Sequence, residues 1–266
     1  EIDTRKSTEW LELKWHGHEK IVRPDEIRFT LPPSLDSSSE IIQHRIQGSL
    51  LAMAVGDALG VPFESAMREH MLNNPVTDSM IENRRKSHHW NHVLKEAEKT
   101  PTNAEVCIIP SETEPVTSDS ALMRLAPIPL FFYRSPKVAV YYSGESCRLT
   151  FEQNGKLAID ICRYYGALIV AALHGEKKEE LLHNNFYERK FQLGWFGNEP
   201  LHEDVLGVAH GGDTDTSAAI YGMLAGAYYG VEAIDKEWIQ QLYASQFIGA
   251  IALWLDYEGL KWFQKQ

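Results

Sequence analysis

Cysteine is scarce: the chain of 266 residues has three, Cys107, Cys147 and Cys162, at no metal-ligand spacing and with at least one necessarily unpaired. That scarcity speaks against a disulfide framework and for a reducing compartment. No apolar run approaches the roughly 18 residues a bilayer span requires, so the chain reads as soluble, without a membrane partner. Positive charge is short as well. With 26 Lys and Arg against 37 Asp and Glu the formal net charge is -11, and no basic stripe is present to follow a nucleic-acid backbone. A small anionic ligand in a local pocket stays compatible with that balance. An initiator Met and a basic-then-apolar leader are missing, which reads as a fragment or processed chain of the cytoplasm or nucleus. There is also no repeat and no alternation of strands with helices, which removes a parallel α/β sheet and leaves an all-α fold.

What is present suffices for a folded core: 44% of residues are hydrophobic and 24% charged, inside the range of ordinary globular proteins. Residues 1–40 read as an irregular lead-in, broken by Pro24, Pro32 and Pro33, with one short strand near Glu19 to Val22. Ile42, Ile46, Leu50 and Ala54 then recur every four residues and predict a helix from Ile41 to about Leu59, stopped by Gly60 and Pro62. Residues 81–120 are an atypical segment, turning from a charged helical piece to a loop rich in Thr, Pro and Glu. Helical periodicity returns at Leu157, Ile161, Leu168 and Ala172, ending at Gly175. It resumes from Thr216 to Tyr229, and again from about Lys236 to Tyr257 with Asp235 as N-cap and Gly259 as stop.

One stretch carries more polar oxygen than a helix cap needs. In HGGDTDTSAAIYG, from His210, two aspartates and two threonines precede a helix of small and apolar residues. The glycines allow a sharp turn, which places Asp213, Asp215 and Thr216 around the first helical turn, where their oxygens can converge. Two carboxylates and a hydroxyl are hard ligands, suited to Mg²⁺, Mn²⁺ or Ca²⁺ rather than zinc. The plainer alternative is a capped helix whose acidic residues complement its dipole. Against it, Ala218, Gly222 and Gly226 recur every four residues, so a neighbouring backbone can approach closely and the acidic end falls at a packed, interior place. A second stretch, RIQGSLLAMAVGDALGVPFES from Arg45, has a small-residue helix ending in GDALG, with Glu64 four residues after Gly60. Asp57 can bond local backbone there, and Glu64 is either a surface carboxylate or a mobile acid at the mouth of a metal site.

These stretches together resemble the ADP-ribosylglycohydrolase family, whose fold includes dinitrogenase reductase activating glycohydrolase and the lens protein crystallin J1. The resemblance runs through RIQGSLLAMAVGDALGVPFE, ALMRLAPIPLFFYR from Ala121, RYYGALIVAAL from Arg163 and GGDTDTSAAIYGMLAGAYYG from Gly211, in the family's order. It implies a compact all-α domain over residues 41–266, with two Mg²⁺ or Mn²⁺ ions at the bottom of an ADP-ribose cleft. The implied reaction hydrolyses the glycosidic bond between ADP-ribose and a protein side chain or related acceptor. By motif, Asp213, Asp215 and Thr216 become metal ligands and Glu64 the acid at the reacting ribose. Glu64 and Asp215 then form the catalytic pair, with Ser120 and Gly212 against the substrate. The implied partner is an ADP-ribosylated protein or a small molecule containing ADP-ribose.

The pattern also departs from the family. The Thr-Asp-Asp-Thr run that completes the metal site is absent after GDALG, its nearest remnant being Thr77 and Asp78 in PVTDSM. Only one half of the two-ion site is therefore visible. His88 and His92 could share a helix face but find no third ligand. Where the family has a glycine-rich turn before ALMRLAP, this chain has Thr117, Ser118, Asp119 and Ser120, and Asp119 would repel a pyrophosphate. Phe151 stands where a histidine is usual, and the stretch from Trp195 to His210 is short. Three functions stay open: the metal-dependent hydrolase, a crystallin J1-like scaffold with weak or no ADP-ribose binding, and a hydrolase of another nucleotide or glycoside. Tyr228, Tyr229, Trp254 and Trp262 either stack on adenine or pack the core.

Overall fold

The computed structural model describes residues 11–14, 26–34, 40–60, 119–148, 155–206 and 214–266. Within them the chain is mostly helical. Ahead of the helices, strands β1 (Leu11–Lys14) and β2 (Glu26–Phe29) pair antiparallel with Leu11 opposite Phe29 and Lys14 opposite Glu26. The lead-in thus holds two strands, on either side of the stretch from Glu19 to Val22, which lies outside the described residues.

Helix α1 (Glu40–Gly60) matches the four-residue apolar spacing and opens on an acidic residue that suits its dipole. Next come α2 (Asp119–Met123), α3 (Pro127–Phe132) and α4 (Pro136–Cys147). Proline begins both α3 and α4, where its fixed φ fits and its missing N–H costs nothing. Helix α5 (Lys156–Leu173) is the most deeply buried, with Ala167, Ile169, Val170, Ala171 and Ala172 all at 0% exposure. It ends in a Schellman turn: Gly175 takes φ 82°, its N–H bonds Ala172 O at 3.0 Å, and Glu176 N–H bonds Ala171 O at 3.1 Å. Arg45 of α1 adds a guanidinium at that carbonyl end, donating to Ala172 O at 3.1 Å and Leu173 O at 3.3 Å.

The remaining helices are α6 (Lys178–Leu181), α7 (Phe186–Gln192), α8 (Thr214–Tyr229), α9 (Lys236–Gln241) and α10 (Ser245–Phe263). The long C-terminal helix expected from Lys236 is two helices. Asp235 caps the first, accepting from Glu237 N–H at 2.8 Å, but the chain breaks at Ala244, which takes a left-handed φ of 58°. Gly259 does not stop α10; it lies inside the helix, where a Cβ would sit 2.3 Å from the Phe131 carbonyl oxygen of α3. The same contact region holds buried Asp256, whose Oδ1 accepts from Arg134 Nη2 at 2.6 Å and Tyr133 Oη at 3.1 Å.

Of the four aromatics considered for adenine, Tyr228 packs against the main core and Trp262 meets the Phe132 ring edge-on at 4.9 Å. Trp254 donates to Thr30 O at 2.8 Å, while Tyr229 remains 55% exposed. Among the described residues no helix is long and apolar enough to cross a membrane.

His174, just past α5, bonds the Tyr133 carbonyl through Nε2 at 2.9 Å and lies edge-on to the Trp195 ring. Burial holds its pKa below the usual histidine value, and nearby Lys190 adds to this, against the raising effects of the Tyr133 carbonyl and Glu176. A base with a depressed folded pKa binds fewer protons folded than unfolded, so stability falls as pH drops below the unfolded value of about 6.5. The loss levels off once pH is below the folded value. Urea midpoints should therefore fall from pH 7.5 to 5.5, and His174→Gln should remove part of that slope; an identical slope in the variant would refute the assignment.

Candidate functional site

The candidate site is approached along the seam between α1 and α8, which pack antiparallel. Small residues make the contact. A Cβ built on Gly222 would lie 2.2 Å from Ala52 O, on Gly226 2.0 Å from Gly48 O, and on Gly56 2.3 Å from Ala218 O. The stripe of Ala218, Gly222 and Gly226 therefore admits a neighbouring backbone as its spacing predicts, and that neighbour is α1. Ser49 hydroxyl closes the seam by donating to Met223 O at 2.9 Å in a buried position.

The register fixes which ends meet. Each step of four residues up α1 matches four down α8, so Gly60, the last residue of α1, falls abreast of Thr214, the first of α8. The chain leaves α1 toward Glu64 at the same end where it enters α8 from Gly212 and Asp213. The terminal carbonyls of α1 stand beside the first N–H groups of α8, and their partial charges oppose each other. Positive potential from the α8 dipole is thereby reduced where a cation would be held.

Asp215 and Thr216 stand in the first turn of α8, and Ser120 is the second residue of α2. Helix α2 packs against both α8 and α5, with Ala121, Leu122 and Leu125 against Ile220 and Tyr165. Tyr165 hydroxyl also donates to the Ile220 carbonyl, locking α5 to the first half of α8. Glu64, Gly212 and Asp213 lie outside the described residues, as do Thr77, Asp78, His88, His92 and Phe151. As a donor set, Asp213, Asp215 and Thr216 supply oxygen only, which fits a hard divalent ion at one half of a two-ion centre. Among the described residues no group of three or more His, Cys, Asp or Glu is placed to hold a metal.

Sequence reading missed a buried clamp on α5. Asp160 and Arg163 of α5 pair at 2.7 Å, with Asp160 2% exposed. Arg163 Nη2 also donates to Phe196 O at 2.7 Å and Glu199 O at 3.2 Å, while Asp160 Oδ2 accepts from His202 N–H at 2.9 Å. The pair pins residues 196–202, the segment that leads toward the start of α8. It also floors a cleft of about 600 Å³ bordered by Tyr141, Arg148, Lys156 and Trp195. The available signal was an Asp and an Arg three apart inside an otherwise apolar helix.

The sequence profile described as ADP-ribosylglycohydrolase matches residues 198–262, from the pinned segment through α8 and most of α10. Over that segment the chain is similar to ADP-ribosylglycohydrolases. A curated relative, the ADP-ribosylarginine hydrolase Tri1 of Pseudomonas putida (strain GB-1), is 26% identical over 167 residues, covering 50% of this chain and 44% of the relative. The chain thus matches less than half the length of that family member. A solved structure titled ADP-ribosylglycohydrolase-related protein complex superposes with a TM-score of 0.52 at 22% identity, over 83% of this chain and 100% of the other. That likeness shows a shared fold.

Proposed function

We propose that this chain is a metal-dependent hydrolase that cleaves the glycosidic bond between ADP-ribose and a protein side chain. What supports the reading is the α1–α8 register, in which Gly60, four residues before Glu64 in sequence, falls abreast of Thr214, the neighbour of Asp213 and Asp215. Asp213, Asp215 and Thr216 would hold a Mg²⁺ or Mn²⁺ ion. When bound, the ion supplies Lewis-acid stabilisation and orientation of the ribose hydroxyls. Glu64 moves a proton at the anomeric centre as the oxocarbenium-like transition state forms. Ser120 of α2, and Gly212, two residues before α8 in sequence, contact the substrate. Arginine is the first acceptor linkage to test, because the relative Tri1 is named for it.

Single-turnover release of ADP-ribose from an ADP-ribosylarginine protein should require Mg²⁺ or Mn²⁺. Glu64→Gln and Asp215→Ala should each lower the rate by roughly 100-fold or more. No release by the wild-type chain from a panel of ADP-ribosyl linkages, at any concentration of either ion, would overturn the proposal. Chelation with EDTA should also lower the melting temperature, because Asp213 and Asp215 then repel each other and binding free energy is lost. An unchanged melting temperature counts against the metal site.

The second reading, a scaffold that keeps the fold without catalysis, draws on Asp119 at the first position of α2. A carboxylate there opposes an incoming pyrophosphate. Calorimetry separates the two: Mg²⁺-dependent ADP-ribose binding that is lost in Asp215→Ala excludes a purely structural role.

A further inference from the structure

Two buried thiols face each other in the described core, and the proposed hydrolysis uses neither. Cys147 and Cys162 carry reduced thiols, both 0% exposed. Helices α4 and α5 pack against each other, and they run close: a Cβ on Gly166 would lie 2.2 Å from Ser143 Oγ, and one on Gly144 2.8 Å from Arg163 Cγ. One turn further in the antiparallel register of Ser143 and Gly166, Cys147 at the end of α4 comes opposite Cys162 of α5. The Cys162 thiol hydrogen-bonds the Cys147 sulfur, within a small apolar cluster of Ala121, Leu122, Leu125 and Ala158. Facing positions on two close-packed helices make the two thiols neighbours, as a disulfide requires.

We propose that Cys147 and Cys162 are a redox pair, closing to an intramolecular disulfide under peroxide and reopening under a dithiol. The two sulfurs are unequal partners. The hydrogen bond from Cys162, together with Arg124 and Arg148, holds the Cys147 thiol below its usual range against the opposing effect of burial. The same bond and burial push Cys162 up, so Cys162 keeps its proton. Cys147 also ends its helix next to the half-exposed Arg148, where fraying of the last turn admits a small oxidant.

In the first step Cys147 thiolate attacks one peroxide oxygen, the O–O bond breaks, and the leaving hydroxide takes a proton to become water. That forms a sulfenic acid on Cys147. Cys162 sulfur then attacks the sulfenic sulfur, its proton leaves with the displaced hydroxide as a second water, and the S–S bond forms. Peroxide accepts both electrons. The closed bond ties the end of α4 to α5, beside α2 and therefore beside the proposed substrate end, though the proposal does not depend on catalysis.

The test treats the full chain with hydrogen peroxide, alkylates free thiols after unfolding, and maps digested peptides by mass spectrometry, with the Cys107→Ser variant in parallel. A linked Cys147–Cys162 peptide, lighter than its two parts by two hydrogens and abolished by dithiothreitol, is expected in both proteins. In Cys162→Ser, Cys147 should advance to a sulfinic acid that dithiothreitol does not reverse. Complete alkylation of both thiols after peroxide, or cross-links only to Cys107, would overturn the proposal.

Discussion

Gly226→Ala should destabilise the fold by about 3 kcal/mol or more, the upper end of what overpacking costs. The new Cβ would lie 2.0 Å from Gly48 O, 2.3 Å from Gly48 C and 2.6 Å from Ser49 N. None of these atoms belongs to a side chain that could turn away. The opposing residue is itself glycine, so nothing on α1 can be trimmed to make room. Relief requires the two helices to separate, which forfeits dispersion contacts along the seam and breaks the Ser49 to Met223 bond. Gly222→Ala, facing Ala52 O at 2.2 Å, should behave alike. Gly249→Ala is the control: its nearest neighbour is Gln47 Nε2 at 3.7 Å, so helix propensity alone should make it neutral or stabilising by up to about 1 kcal/mol. Urea denaturation of the three variants measures the contrast, and equal midpoints for Gly226→Ala and Gly249→Ala would contradict the seam.

The second large effect is expected at the clamp. Asp160→Ala leaves Arg163 buried at 11% side-chain exposure without its carboxylate, and removes the acceptor for His202 N–H. Breaking a buried pair from one side costs about 3–5 kcal/mol, because the remaining charge stays desolvated. Arg163 would retain only the Phe196 and Glu199 carbonyls, which do not neutralise it. Asp160→Asn keeps the shape and one acceptor and should cost less. The double variant Asp160→Ala with Arg163→Met should recover part of the loss, since no unpaired charge remains. Proteolysis within residues 196–202 should accelerate in Asp160→Ala in step with its lower urea midpoint. If the double variant is as unstable as the single one, the cost is not the uncompensated charge.

Features that are local in the chain were legible before the structure. The apolar spacing through Ile42, Ile46 and Leu50 predicted α1 within a residue or so, because one buried stripe writes its own period. A helix start within two residues of Thr214 followed from glycines and oxygen-bearing residues in a row. The break at Ala244 was not legible. Alanine favours helix, and the change of direction goes with the packing of α10 against α1 and α3, which the local sequence does not encode. In the candidate site, the kind of donor was readable from Asp213, Asp215 and Thr216, while their neighbour was not. Glycines on α8 announce a close approach without naming α1 as what approaches. Asp160 and Arg163 were overlooked because such a spacing commonly marks an exposed pair, and their burial is imposed by residues 196–202, far along the chain.

The α1–α8 seam also carries a consequence for how the chain is made. Ser49 and Met223 are 174 positions apart, so α1 leaves the ribosome long before its partner exists. At about 5–20 residues per second that interval is on the order of ten seconds or more. During it, a helix whose small-residue face was shaped for another backbone has nothing to cover it. Contacts of such separation also slow folding once the chain is free, since a long loop must close before they form. Nascent chains halted before α8 should therefore associate with holdase chaperones, and release should track the emergence of Gly226 rather than of α5.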